Sequence, residues 1–224
     1  MKRNYCRQAE DVRASFCNIP LVDVYIAALP EGEKIGEVEC KARRDEIHSA
    51  SNERVRREKY FVWKLLCYAL ERSFGMRGDK LKLVKEDYGG WFAGDAFVSL
   101  SHSEGALAVA VSQAPVGVDI ERLKVPRSKK AAERIMTSAE LLEYGSTPLE
   151  KREKRLIEIW TAKEAIFKSK RISGFIPKEN DTLSESFVTR SAMVGGEEYV
   201  WSVATAAPEK IRLFENIDLG DIGQ

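Results

Sequence analysis

An α+β fold is predicted by three features of the 224-residue sequence. A β-branched apolar stretch near the start leads into a long amphipathic helical pattern. Three short apolar runs follow, separated by turn residues. Helical and strand-like segments then return, without the strict strand–helix alternation that would build a parallel sheet.

Leu21 to Leu29 (LVDVYIAAL) reads as a strand closed by Pro30-Glu31-Gly32. From Arg43 to Phe74 the spacing predicts one helix, with Tyr60, Trp63, Lys64, Leu66, Cys67 and Leu70 recurring at three- and four-residue steps before the stop at Gly75. Leu81 to Val84 reads as a short strand ahead of a turn at Tyr88-Gly89-Gly90. Phe97–Ser101, Ala106–Val111 and Val116–Glu121 form a meander, with turns at Ser103-Glu104-Gly105 and Gln113-Ala114-Pro115. Helices are expected over Ser138–Tyr144 and Leu149–Lys170, and strands over Ser186–Val194 and Tyr199–Ala204. This order suggests two α+β halves, 1–115 and 116–224, of about 110 residues each.

Composition narrows the class. With 44% hydrophobic and 32% charged residues, the chain can bury a core and reads as soluble and globular. Lys+Arg 36 against Asp+Glu 35 gives a net charge of +1, which does not call for nucleic acid. Cys6, Cys17, Cys40 and Cys67 form no CxxC pair and read as reduced thiols. Neither a signal peptide nor a membrane span is expected, so the cytoplasm is the expected location.

Three segments carry residues suited to chemistry. In Gly117-Val118-Asp119-Ile120-Glu121, strand alternation puts Asp119 and Glu121 on one face, expected to be the outer one. Two carboxylates side by side suit a hard cation such as Mg²⁺, and Gly117 on that face leaves room for something bulky. A half-exposed strand with its charges in water would show the same pattern. In Trp160–Lys168 (WTAKEAIFK), Leu156, Ile159, Trp160, Ile166 and Phe167 form an apolar arc, with Glu164 and Lys168 at its border. That pair suits a cleft holding metal and phosphate, or a plain i,i+4 ion pair. Ser99-Leu100-Ser101-His102-Ser103 ends a strand at a turn, where a hydroxyl and an imidazole can meet phosphate oxygens. His102 can equally be a structural residue, and no Gly-x-Ser-x-Gly elbow marks a hydrolase.

In order and spacing, Ser-x-Ser-His at 99–102, Gly-Val-Asp-Ile-Glu at 117–121 and Trp-x-x-Lys-Glu-Ala-x-x-Lys at 160–168 together resemble the signature of the larger, monomeric class of 4′-phosphopantetheinyl transferases. The resemblance spans residues 40 to 175. It implies two similar α+β halves related by a pseudo-two-fold axis, with coenzyme A in the cleft between them. It also implies Mg²⁺-dependent transfer of the phosphopantetheine arm to a serine of an acyl or peptidyl carrier protein, by a monomer. Asp119, Glu121 and Glu164 are similar to the magnesium ligands, and Glu164 also to a residue that acts as base or positions one. Lys168 resembles the pyrophosphate lysine, and Ser101 and His102 resemble phosphate contacts.

The chain departs from the family pattern at Gly90, which stands where many members carry a coenzyme-binding lysine and can offer only backbone contacts. Arg44 and Lys64 are the expected 3′-phosphate residues, with Arg43 and Arg54 as substitutes. A basic cluster, Lys124, Arg127, Lys129, Lys130 and Arg134, is expected to dock an acidic carrier protein. The competing readings are a non-catalytic module that binds coenzyme A or a carrier protein, and a Mg²⁺-dependent phosphatase or nuclease. The near-neutral charge argues against the nuclease.

Overall fold

The computed structural model describes residues 21–77, 81–124 and 129–220. Cys6, Cys17, Arg127 and the Lys129 side chain lie outside the described residues. The α+β class holds: five α-helices and nine strands are present among the described residues.

Strand β1 (Val22–Ala28) is apolar almost throughout because both of its faces are covered. It pairs antiparallel with β5 (Ala106–Ser112), which pairs antiparallel with β4 (Ala96–Ser103). The short strands β3 (Trp91–Ala93) and β2 (Leu83–Lys85) extend the sheet beyond β4. On the other edge, β9 (Ile211–Phe214) runs parallel to β1, completing a six-stranded sheet. Neither β3 nor β9 is among the strands expected from the sequence. Two side-chain contacts hold β9. Arg212 donates to both carboxylate oxygens of Asp23 at 2.6 and 2.7 Å, and Phe214 stacks on Tyr25 with centroids 4.6 Å apart.

One face of this sheet buries Tyr25, Leu107, Val109 and Val111 against the helix α2 (Glu53–Phe74). The single helix expected over 43–74 is two, because Ser49-Ala50-Ser51-Asn52 interrupts it after α1 (Lys41–His48). Asn52 caps α2, its side-chain oxygen accepting the Val55 N–H at 2.9 Å. Gly75 closes the helix in the left-handed conformation, as expected.

The opposite face packs on a second sheet of order β6 (Gly117–Arg122), β8 (Glu197–Ala204), β7 (Phe187–Val194), all antiparallel. Val118, Ile120, Trp201 and Val203 enter the shared core, as the alternation along β6 predicts. Small side chains on the first sheet, Ala106, Ala108 and Ala110 with Ser99 and Ser101, let the sheets approach closely. At the seam, hydroxyls of β4 serve the open edge of β6: Val118 N–H donates to Ser99 Oγ at 2.9 Å and Ile120 N–H to Ser101 Oγ at 3.4 Å. Ser101 in turn donates to Asp119 at 2.7 Å, and Ser103 to Glu121 at 2.8 Å. An edge strand that would otherwise leave N–H groups unpaired is thereby satisfied.

Helix α5 (Arg152–Lys170) covers the far face of the second sheet. The expectation that Asp119 lies on a solvent face is corrected here. Asp119 is 5% exposed, because α5 lies across the face of β6 that Gly117 and Asp119 share. Gly117 does make room, but for α5 itself. A Cβ at 117 would overlap the Ala165 carbonyl and lie 2.6 Å from the Ser169 nitrogen. Ahead of α5 in the chain come α3 (Lys129–Ile135), which carries Lys130 and Arg134 of the expected docking cluster, and α4 (Ser138–Ser146), opened by a Thr137–Glu140 capping box.

Within α5, Lys163 is fully buried and lies 2.8 Å from the equally buried Glu140, and it also donates to the carbonyls of Asn180 and Pro177. Burial alone would raise the Glu140 carboxyl. Hydrogen bonds from Lys163, Thr182 and Thr137 outweigh it and hold Glu140 at about 2, below the ordinary 4.5. A depressed folded value stabilises the protein above pH 4.5, and the stabilisation is lost as the pH falls toward 2. Glu140→Gln leaves Lys163 buried and uncompensated, and should cost about 3–5 kcal/mol at neutral pH. Thermal unfolding of both proteins across the acid range should show this gap narrowing below pH 4.5; a gap independent of pH would contradict the assignment.

Candidate active site

The seam sets the site. Asp119 is fixed from two sides: its Oδ1 accepts from Ser101 of β4 and from Lys168 of α5, each at 2.7 Å. Lys168 also donates to the Val118 carbonyl at 3.2 Å and lies 3.9 Å from Glu164, one helical turn back. Glu121, two residues on, accepts from Ser103 and from the Trp160 indole at 3.2 Å. All four acidic and basic residues expected from the two later motifs therefore meet where β6 and α5 cross.

Asp119 Oδ2 is buried and has no hydrogen-bond partner. An unpaired carboxylate oxygen in such a place is costly unless a cation or a donor completes it. The hard oxygens nearby are the donor type that Mg²⁺ takes. Among the described residues, however, no three His, Cys, Asp or Glu side chains are already gathered as a metal cluster. Lys168 stands against Asp119 and beside Glu164 instead.

Beside this crossing lies a cleft of about 310 Å³ between the first sheet and α5, a size suited to a small-molecule site. Lys168, Phe167 and Ile172 line it from the α5 side. His102, Gly90, Tyr88 and Arg43 line it from the other. Four of the expected coenzyme residues are thus settled in position: Gly90, His102 and Lys168 line the cleft, while Ser101 holds Asp119 behind it. At Gly90 a side chain would collide with the Tyr88 ring, which lies over it.

Arg44 is elsewhere. It is exposed, donates to the Val38 carbonyl at 2.8 Å, and lines a separate cleft of about 490 Å³ with Ile47 and His48. Lys64 is half-buried on α2 and lines neither cleft. Arg43, the neighbour held in reserve, is the arginine that lines the Lys168 cleft. It is 6% exposed, stacks over Trp63, and keeps a buried Nε without a partner. Its Nη1 holds Glu46 at 2.7 Å. Burial raises the Glu46 carboxyl, but hydrogen bonds from Lys85 and Arg43 bring it below the usual carboxylate range.

Two functional neighbours were missed by the sequence reading. Glu58 of α2, 3% exposed, faces His102 Nδ1 at 3.1 Å. The visible signal was a glutamate amid the apolar positions of a helix. Arg171, at the left-handed end of α5, pairs with Glu86 and lies beside the rings of Tyr88, Phe92 and Phe97. It fastens the Lys168 end of α5 to the hairpin that carries Gly90.

Comparison with known proteins bears on the same segment. Residues 115–201 match the family model of the 4′-phosphopantetheinyl transferase superfamily, a span that includes both carboxylate motifs but not Ser99–His102. Over 70 residues the chain is 40% identical to the 4′-phosphopantetheinyl transferase psf-1 of Bacillus pumilus. That alignment covers 31% of this chain and 30% of the relative's own length. Residues 115–201 of the chain are therefore similar to the 4′-phosphopantetheinyl transferase superfamily, and the chain matches less than a third of the length of the relative it resembles.

Proposed function

We propose that the protein transfers the 4′-phosphopantetheine arm of coenzyme A to a serine of an apo acyl or peptidyl carrier protein, releasing 3′,5′-ADP. The observation that carries this reading is a cleft in which Lys168 and His102 stand beside Asp119, whose buried second oxygen lacks a partner. Phosphoryl transfer asks a protein for positioning and charge stabilisation rather than for a covalent nucleophile. The serine oxygen bonds to phosphorus, the bond to the bridging pyrophosphate oxygen breaks, and 3′,5′-ADP leaves with that electron pair.

Asp119, Glu121 and Glu164 would hold Mg²⁺, which when bound supplies Lewis-acid polarisation of the phosphoryl oxygens. The rest of the work falls to the chain. Lys168 is placed to meet pyrophosphate charge, and it turns from Asp119 toward that charge as coenzyme enters. His102 meets a phosphate oxygen. Glu164 accepts the serine proton or positions the group that does. The same proposal takes halves 1–115 and 116–224 as related by a pseudo-two-fold axis, each laying one long helix, α2 or α5, on its sheet. It also takes the protein as a cytoplasmic monomer, with the basic segment 124–134 as the carrier-docking surface. In that segment Lys124 already pairs with Glu104.

Intact mass of an apo carrier protein incubated with this protein, Mg²⁺ and coenzyme A should show the added arm, and Asp119→Ala or Glu164→Gln should abolish it. Coenzyme A binding with no mass gain on either acyl or peptidyl carriers would leave a non-catalytic binding module. For the 3′-phosphate, the cleft favours Arg43 over Arg44. In titrations, Arg43→Ala should erase the preference for coenzyme A over dephospho-coenzyme A, while Arg44→Ala retains it. The opposite pattern would return the contact to Arg44.

A further inference from the structure

The buried carboxylate of Glu58 has no part in the chemistry described above, yet it touches a residue that does. It stands on α2 among apolar neighbours, 3% exposed, where a carboxylate is unfavourable unless each oxygen is served. Its Oε1 accepts the backbone N–H of Gly105, in the β4–β5 turn, at 3.0 Å. Its Oε2 faces His102 Nδ1 at 3.1 Å. Arg54, one turn earlier and largely exposed, adds charge at 3.7 Å. The backbone contact fixes the carboxylate, so the oxygen offered to His102 has a fixed position.

We propose that Glu58 is a positioning residue that holds His102 with its proton on Nδ1 and presents Nε2 to the cleft. The inference rests on reading that cleft as the coenzyme site. An ionised carboxylate has no hydrogen to give, so the hydrogen in this contact comes from the imidazole. The neutral ring is then locked in the Nδ1–H form, with Nε2 open as the acceptor. The imidazolium form keeps the same orientation, with Nδ1–H on Glu58 and Nε2–H directed to a phosphate oxygen in the cleft. Both N–H groups then find anionic acceptors, Glu58 behind and phosphate in front. The same carboxylate ties α2 to the β4–β5 turn, so the ring and the seam serines on β4 are positioned together.

The chain has only two histidines, so a ¹⁵N-resolved imidazole spectrum contains just His48 and His102. In the ligand-free wild type, at a pH where the rings are neutral, His102 should show a protonated Nδ1 and a bare Nε2. In Glu58→Gln a single amide oxygen cannot serve both Gly105 and His102, and the ring should shift toward the Nε2–H form. Pyrophosphate and coenzyme A affinity should fall on the order of tenfold in that variant, with unfolding temperature and kcat changed much less than KM. A neutral wild-type His102 carrying its proton on Nε2 would overturn the proposal, as would an unchanged tautomer in Glu58→Gln. The wild-type spectrum decides even if the variant does not fold. It also needs no carrier protein or turnover, so loss of the transferase reading would not produce the contrary result.

Discussion

The structure depends on the way β6 is held against β4. An edge strand must find partners for its outward N–H groups, and here they are serine hydroxyls spaced two residues apart rather than a second backbone. Ser99, Ser101 and Ser103 project from one face of β4 and meet Val118, Asp119, Ile120 and Glu121 in turn. Hydroxyls are short, so the two sheets close tightly, and each hydroxyl can both accept from an amide and donate to a carboxylate. One arrangement therefore joins the sheets, satisfies an edge and aims two carboxylates.

Helix α5 completes what the seam begins, and its motif divides by face. Lys163 turns inward to a buried ion pair with Glu140, while Glu164 and Lys168 turn to the crossing with β6. The missing side chain of Gly117 brings the α5 backbone close enough for Lys168 to reach both Asp119 and the Val118 carbonyl. A residue at 117 larger than glycine would push the helix, and with it two charged groups, away from the carboxylates. Structure and chemistry thus share one contact.

Much of this was legible in the sequence because it is local. Alternation along 117–121 gave the buried Val118 and Ile120, and the i,i+4 spacing put Glu164 and Lys168 together. What was not legible depends on partners distant in the chain. Asp119 and Gly117 read as an outer face because nothing in the strand reveals that a helix some fifty residues later lies across it. Arg43 and Arg44 are adjacent on one helix, and only the packing of α1 decides which one lines the cleft. Strand β9 is four residues long and is held by Asp23 and Tyr25 from the far end of the chain, so it carried no periodicity of its own. The break at 49–52 was, by contrast, visible in principle, since serine and asparagine favour caps over helix interiors.

The central claim is that the β4–β6–α5 crossing and its adjoining cleft form a single site for coenzyme and cation. A crystal structure of the protein grown with coenzyme A and Mn²⁺, with data collected at an anomalous wavelength, tests it most directly. The account predicts the pyrophosphate beside Lys168 and His102, with an anomalous peak at Asp119 Oδ2. Coenzyme bound instead in the Arg44 cleft, with Lys168 still on Asp119 and no peak there, would contradict it.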